Sequence, residues 1–288
     1  MMKRLLLAAA LLAASISQAG AVWWLENDYS FGSNGLKKNS LTVFRKTSRA
    51  FTSGLNVSFY RDSASYRERV YSARLPLMYS GPAYFISLKP FLYPVAPSTR
   101  SGAYGGKLYG LVSIDEGQDE SFTHLVFSGA WARQKAYFGD TAAPERKEFS
   151  QYAFELQAEK SFYGQFFFLA SAAGFSTPGN GASNANLVTP VLDQAELAYL
   201  GTFRHTTAIP EWVLAAQVAR NMRPEYDSHL YAGYSKISFR DADRANSLVG
   251  GLKLNLNEKS TLDLAYNAYK AEGTGWKSYY KLLLQLFF

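Results

Sequence analysis

Residues suited to catalysis are few in this 288-residue sequence, which has three histidines and no cysteine. The absence of cysteine excludes thiol chemistry and cysteine-ligated metal sites. Ser128 follows His124, but in a strand that spacing separates the two residues by roughly 13 Å. His205 precedes two threonines, and His229 follows Ser228. A nucleophile needs a base within hydrogen-bond reach, so we predict no catalytic residue at these positions.

The sequence offers no clear cofactor or metal site either. Two acidic pairs, Asp115-Glu116 and Asp119-Glu120, lie close together in the sequence, and carboxylate oxygens are ligands for divalent cations. A solvated acidic loop is the preferred interpretation, with cation binding as the alternative. Gly105-Gly106 lies within a strand-like segment and lacks the context of a phosphate-binding loop. We therefore predict no metal and no cofactor.

The first 21 residues are predicted to be a secretory signal peptide. Lys3 and Arg4 give a positive start, an uncharged apolar run follows, and small residues precede the expected cleavage point. The apolar run is too short for a transmembrane helix, which needs about 20 residues. We therefore expect residues 1–21 to be removed and residues 22–288 to form a single domain.

Composition favours a membrane protein that crosses with strands. Without Lys3 and Arg4 the chain keeps 28 basic residues against 23 acidic ones, and its formal net charge falls from +7 to +5. The basic residues are spread along the chain, so we predict no nucleic-acid partner. Beyond the signal peptide no run of 18 uncharged apolar residues occurs, which argues against membrane helices. Aromatic residues nevertheless form 16% of the chain, and tyrosine and tryptophan among them favour bilayer interfaces.

The C-terminal segment has the clearest strand pattern. Within Trp276 to Phe288, the alternate positions from Tyr280 to Phe288 are all apolar or aromatic, and the positions between them are mixed. A period of two indicates a strand, whose uniform face would contact lipid. The segment resembles the C-terminal signal recognised by the barrel-assembly machinery of bacterial outer membranes. That resemblance implies an outer-membrane β-barrel and assigns the assembly signal to Tyr280, Leu282, Leu284, Leu286 and Phe288.

Alternating segments of about 9–16 residues recur along the chain between turn residues, as in a series of hairpins. The sequence therefore predicts an all-β, antiparallel, up-and-down transmembrane β-barrel of about 14 strands, with 12 and 16 as alternatives. This count includes residues 196–204 as a strand and omits residues 22–31. Residues 139–147 and 177–186 are expected to form external loops, and no plug is expected. A periplasmic β-sandwich is the structural alternative.

Alternation also predicts which charged side chains face the interior, because Arg or Lys facing lipid costs about 2–4 kcal/mol at mid-bilayer. The predicted interior is more basic than acidic, and a basic wall concentrates anions. The pore-lining candidates are Arg74, Lys89, Lys107, Glu155, Glu159, Glu196, Arg204, Lys236, Lys253, Asp263 and Lys281.

The preferred hypothesis is an outer-membrane channel for the diffusion of small polar solutes, with anions as the favoured class. The first alternative is a non-conducting barrel whose interior charges pair and whose loops have structural, adhesive or assembly roles. The second is a membrane-embedded hydrolase. Outer-membrane phospholipases resemble this chain in size, but their His-x-Ser spacing is absent at His205. The expected partners are outer-membrane lipid, the barrel-assembly machinery and a small polar solute.

Overall fold

The structure is a computed structural model that describes residues 22–62, 69–95, 101–116, 121–179, 181–189, 192–206, 208–223 and 228–288. The predicted signal peptide lies outside the described residues. The described residues form fifteen strand segments in one sheet. They are β1 (Val22–Gly32), β2 (Leu36–Lys46), β3 (Phe51–Arg61), β4 (Val70–Arg74), β5 (Leu77–Ser80), β6 (Tyr84–Tyr93), β7 (Gly102–Glu116), β8 (Phe122–Asp140), β9 (Ala143–Phe162), β10 (Phe166–Phe175), β11 (Pro210–Arg223), β12 (Ser228–Phe239), β13 (Ala242–Asn257), β14 (Ser260–Ala271) and β15 (Lys277–Phe287).

The sheet closes on itself, because β1 pairs with β15 on one side and with β2 on the other. Segments β4 and β5 are two halves of one strand, since both pair with β3 and with β6. Pro76 interrupts this strand because proline has no N–H to donate to the ladder. The interruption is local, and the Gly54 N–H still donates to the Pro76 carbonyl at 2.8 Å. The barrel therefore has fourteen antiparallel strands, as predicted.

The two faces of the strands differ in character. Large apolar side chains such as Phe154, Leu156 and Leu230 are more than half exposed on the outer face, while their strand neighbours on the other face are buried or half-buried. A continuous apolar surface of this kind does not face water in soluble proteins. It matches the lipid-facing band of a transmembrane barrel, in which closure leaves no unpaired backbone groups.

The two ends of the barrel also differ. We call the end that holds Val22 and Phe287 the terminal end, and the other the loop end. Connections of two to five residues join the strands at the terminal end, whereas the loop end carries the 34-residue connection 176–209 between β10 and β11. Strands β8 and β9, of 19 and 20 residues, extend the wall at the loop end. The predicted loop 139–147 is wrong, because most of these residues continue that hairpin.

The strand predicted at residues 196–204 is also wrong. These residues belong to the connection 176–209 and pack inside the barrel, and the described part of this connection includes two short 3-10 turns. Residues 22–31, omitted from the predicted count, form most of β1. The two errors cancel, which explains why the predicted number was right. In the described part of the chain no helix is long and apolar enough to cross a bilayer.

Candidate functional site: the barrel interior and its inner loop

The connection 176–209, called the inner loop from here on, fills one side of the interior. Leu192, Leu197 and Leu200 are almost fully buried and pack with interior alanines of β8, β9 and β10. Those strands carry small interior side chains, including Ala130 and Ala153, so the wall leaves room for the loop. The expectation of an interior without a plug is therefore incorrect: an apolar loop surface covers an apolar patch of the inner wall.

Polar side chains of the wall hold the backbone of the inner loop. The Ser235 hydroxyl donates to the Leu200 carbonyl at 2.9 Å, and the Ser247 hydroxyl donates to the Gly201 carbonyl at 2.7 Å. Gly201 has a φ of +63°, and a Cβ there would lie 2.6 Å from the Ser235 oxygen. Only glycine satisfies both constraints. The side-chain oxygen of Asn267 accepts a hydrogen bond from the Phe203 N–H at 3.1 Å. Residues of β12, β13 and β14 therefore hold this turn.

Ion pairs join the opposite side of the inner loop to the wall. The Lys38 ammonium group on β2 donates to Asp193 at 2.9 Å. The Arg74 guanidinium group on β4 contacts Glu196, and Tyr93 donates to the same carboxylate at 3.2 Å. Burial by itself would raise the pKa of Asp193, but the Lys38 charge holds that pKa well below its ordinary value. Asp193 is therefore ionised at neutral pH.

Further charge pairs lie along the inner wall. Lys107 on β7 donates to Glu155 on β9 at 3.0 Å, and the Ser128 hydroxyl donates to the same carboxylate at 3.1 Å. Lys281 on β15 lies 2.8 Å from Asp263 on β14. Pairing compensates part of the free-energy cost of placing charges in a partly buried position. Four of the predicted pore-lining residues are therefore paired with each other.

A cavity of about 600 Å³ lies between the inner loop and the wall formed by β1 to β7. Most of the residues that line it have polar side chains, apolar groups such as Phe44 and Leu283 line the rest, and Ala195 and Glu196 of the inner loop form one edge. Asn56 organises the wall, because its amide nitrogen donates to Ser40 at 2.8 Å and to Thr42 at 2.6 Å, while its oxygen accepts from Arg74 at 3.0 Å. The cavity therefore has the size of a small solute, and hydrogen bonds hold polar groups of its wall in place.

Most of the predicted pore-lining residues face the interior, although two of them belong to the inner loop and not to the wall. Strand register places eight on the inner face: Arg74, Lys89, Lys107, Glu155, Glu159, Lys253, Asp263 and Lys281. Glu196 and Arg204 also lie inside, but on the inner loop and not on a strand. Arg204 stacks on the Tyr269 ring with its guanidinium carbon 4.7 Å from the ring centroid.

Lys236 was assigned to the wrong face. It pairs with Leu214 and Asn246, and Leu214 is half exposed on the outer face. Its neighbour Ile237 is fully buried against the inner loop. A sequence pattern reads Ile237 as lipid-facing, because the pattern does not reveal that an apolar loop covers this part of the interior. The prediction therefore exchanged the inner and outer faces of β12.

Charged interior residues that sequence reasoning missed include Asp62, which is buried just beyond β3. Lys38 and Asp193 form the ion pair described above, and Glu26 and Asp28 line the cavity from β1. Glu26 and Asp28 occupy alternate positions within residues 22–31. A strand at these residues would have predicted that both side chains share one face. With the missed residues included, acidic groups are at least as numerous as basic ones in the described interior, so the basic excess behind the expected anion preference disappears.

The histidines occupy packed positions. His205 is buried, with its ring 4.3 Å from that of Tyr60 and its Nδ1 atom 3.7 Å from Asp193. His124 stacks on Phe122 at 4.2 Å and lies 3.7 Å from Glu159. Full burial leaves His205 no access to a substrate. No cluster of three or more histidine, aspartate or glutamate side chains able to hold a metal ion occurs among the residues with described positions.

The fold is that of the bacterial outer-membrane β-barrels. A loop-deletion form of OmpT from Vibrio cholerae has a TM-score of 0.51 at 9% identity, with 93% of this chain and 98% of that chain covered. The outer-membrane-expressed form of the same protein has a TM-score of 0.50 at 8% identity, with 93% and 97% covered. No family model and no curated protein sequence matches the chain. At these identities the similarity shows the fold alone.

Proposed function

We propose that the protein is an outer-membrane channel for the diffusion of small polar solutes, narrowed by its inner loop. The observation that supports the proposal is the polar cavity of about 600 Å³ between the inner loop and the β1–β7 wall. A sealed barrel would gain more from packing this volume with apolar side chains than from retaining charged groups there. The apolar outer face supports a location in a lipid bilayer.

The solutes that fit this interior carry polar groups of either sign. Arg74, Lys89 and Lys107 meet the cavity from β4, β6 and β7, and Glu26 and Asp28 meet it from β1. Because charges of both signs line one cavity, we expect weak ion selectivity and not the anion preference anticipated from the sequence. A salt gradient across a planar bilayer measures this selectivity as a reversal potential close to zero.

Single-channel conductance of the refolded protein tests the proposal. Wild-type protein should give stable steps, and a variant in which residues 192–206 are replaced by a short Gly-Ser linker should give steps at least twice as large. Heat-modifiable migration on electrophoresis shows that each sample is folded. Absence of steps from both folded proteins would overturn the channel. Steps from the linker variant alone would favour a non-conducting barrel closed by its inner loop.

A further inference from the structure

Lys89 differs from the other cations that line the cavity. Arg74 and Lys107, also on the cavity wall, are ion-paired with Glu196 and Glu155. Lys89 projects inward from β6 and lines the same cavity, but within the described residues no carboxylate or other acceptor contacts its ammonium group. An uncompensated ammonium group in a partly buried position is costly unless a bound partner satisfies it. The Lys89 ammonium group is therefore suited to bind an anionic group in the cavity.

Two carboxylates without an ion pair face the same space from β1. Glu26 accepts a hydrogen bond from the Gln285 amide at 2.9 Å, and Asp28 accepts one from the Ser30 hydroxyl at 3.3 Å. In the described part of the barrel neither has a cation within ion-pair distance. Both line the cavity that Lys89 enters. They form an anionic side opposite an ammonium group, with room for a solute between them.

Strand register limits the distance between the two sides. Glu26 and Lys89 are separated by four steps across the sheet, through β2, β3 and the β4–β5 strand. At about 4.8 Å per step their Cα atoms lie at most about 20 Å apart along the wall, and both side chains extend into the cavity. A small linear molecule can therefore reach both charges.

We propose that this cavity is a binding site for small zwitterions, in which Lys89 receives the carboxylate and Glu26 with Asp28 receives the ammonium group. The inference deepens the proposed channel function by naming the solute class. A molecule with only one of the two charges satisfies only one side of the cavity and leaves the other hydrated. Discrimination therefore depends on both charges being present in one solute.

Three probes with the same carbon chain test this inference: 6-aminohexanoate, hexanoate and hexylammonium. Titration calorimetry on the refolded wild-type protein at pH 7 measures binding without requiring conduction. We expect 6-aminohexanoate to bind at least tenfold more tightly than either single-charge probe. Equal binding of hexanoate, or binding of none of the probes to a folded, heat-modifiable barrel, would overturn the zwitterion site.

Variants separate the contributions of the two sides. Lys89→Met should abolish the advantage over hexylammonium, and Glu26→Gln combined with Asp28→Asn should abolish the advantage over hexanoate. Lys236→Met, which removes an ammonium group from the outer face, serves as the matched control and should keep the wild-type preference. Retention of the tenfold preference in Lys89→Met would overturn the assignment.

The binding and conductance results can be told apart. Zwitterion binding without conductance would support the site and overturn the channel. Conductance without zwitterion binding would support the channel and overturn the site.

Discussion

Lys38 on β2 and Asp193 on the inner loop lie 2.9 Å apart inside the barrel, although 155 residues separate them in the sequence. This contact ties the loop to the wall that faces the cavity. The other side of the loop is held by apolar packing and by hydrogen bonds from the Ser235 and Ser247 hydroxyl groups to backbone carbonyls of the loop. The two kinds of contact act on opposite sides, so the loop cannot shift without losing one of them.

Removal of the Asp193 charge should loosen the inner loop. Asp193→Asn leaves the Lys38 ammonium group buried without its counter-charge, which is strongly destabilising for a buried pair. We expect larger or fluctuating single-channel steps, by a factor of about 1.5 or more. Asp243→Asn, at an exposed position of β13, is the matched control. Identical steps from Asp193→Asn and wild type would show that this ion pair does not hold the loop.

The lowered pKa of Asp193 predicts how the inner loop responds to pH. The pKa of Asp193 is held well below its ordinary value, so its contribution to stability is present above the unfolded pKa, about 3.9, and is lost only as pH falls through the depressed value. We expect constant step size in wild-type protein from pH 7 to pH 4.5. Step sizes that grow progressively over this range would contradict the assignment.

Adjacent residues of β15 test the two faces of the wall. Leu282 faces outward beside Tyr280, whereas Leu283 lines the cavity. Leu282→Arg should lower the free energy of folding into lipid by about 2–4 kcal/mol, while Leu283→Arg should cost much less because its charge enters a hydrated interior near Asp28. Denaturant titration in lipid vesicles measures both. Equal losses would mean that the face assignment of β15 is wrong.

A glycine pair in β13 gives a second matched test. A Cβ at Gly251 would lie 2.3 Å from the Tyr231 ring, whereas a Cβ at Gly250 meets nothing closer than 3.9 Å. The Tyr231 hydroxyl donates to Asp263 at 2.7 Å, so the ring cannot move without losing this bond. We expect Gly251→Ala to destabilise the barrel by about 1–3 kcal/mol and Gly250→Ala to have little effect on the unfolding midpoint.

Deletion of Phe288 separates assembly from stability. Phe288 is 73% exposed and follows the last residue of β15, and its N–H donates to the Trp23 carbonyl at 2.9 Å. The folded barrel should therefore lose little stability without it, and refolding in detergent should proceed normally. If the residue serves the barrel-assembly machinery, the amount of folded protein in cells should fall severalfold. Normal assembly in cells would remove Phe288 from the assembly signal.

The sequence by itself determined the class of fold and most of the outer face, whereas the number of strands was right only because two errors cancelled. Alternation has a period of two, so the outward positions Tyr280, Leu282, Leu284 and Leu286 could be assigned without coordinates. The same alternation placed Lys107, Glu155 and Asp263 inside. These predictions succeed because lipid imposes one requirement on every outward residue, and a local pattern records it.

Only the tertiary structure decided what occupies the interior. Residues 196–204 alternate like a strand, but they pack inside the barrel, because small side chains distant in sequence leave space there. The inverted face of Lys236 follows from the same cause, since Ile237 is apolar for contact with the loop and not with lipid. The pairing of Lys38 with Asp193 and the isolation of Lys89 depend on closure of fourteen strands, and a local sequence pattern contains no information about which side chains closure brings together.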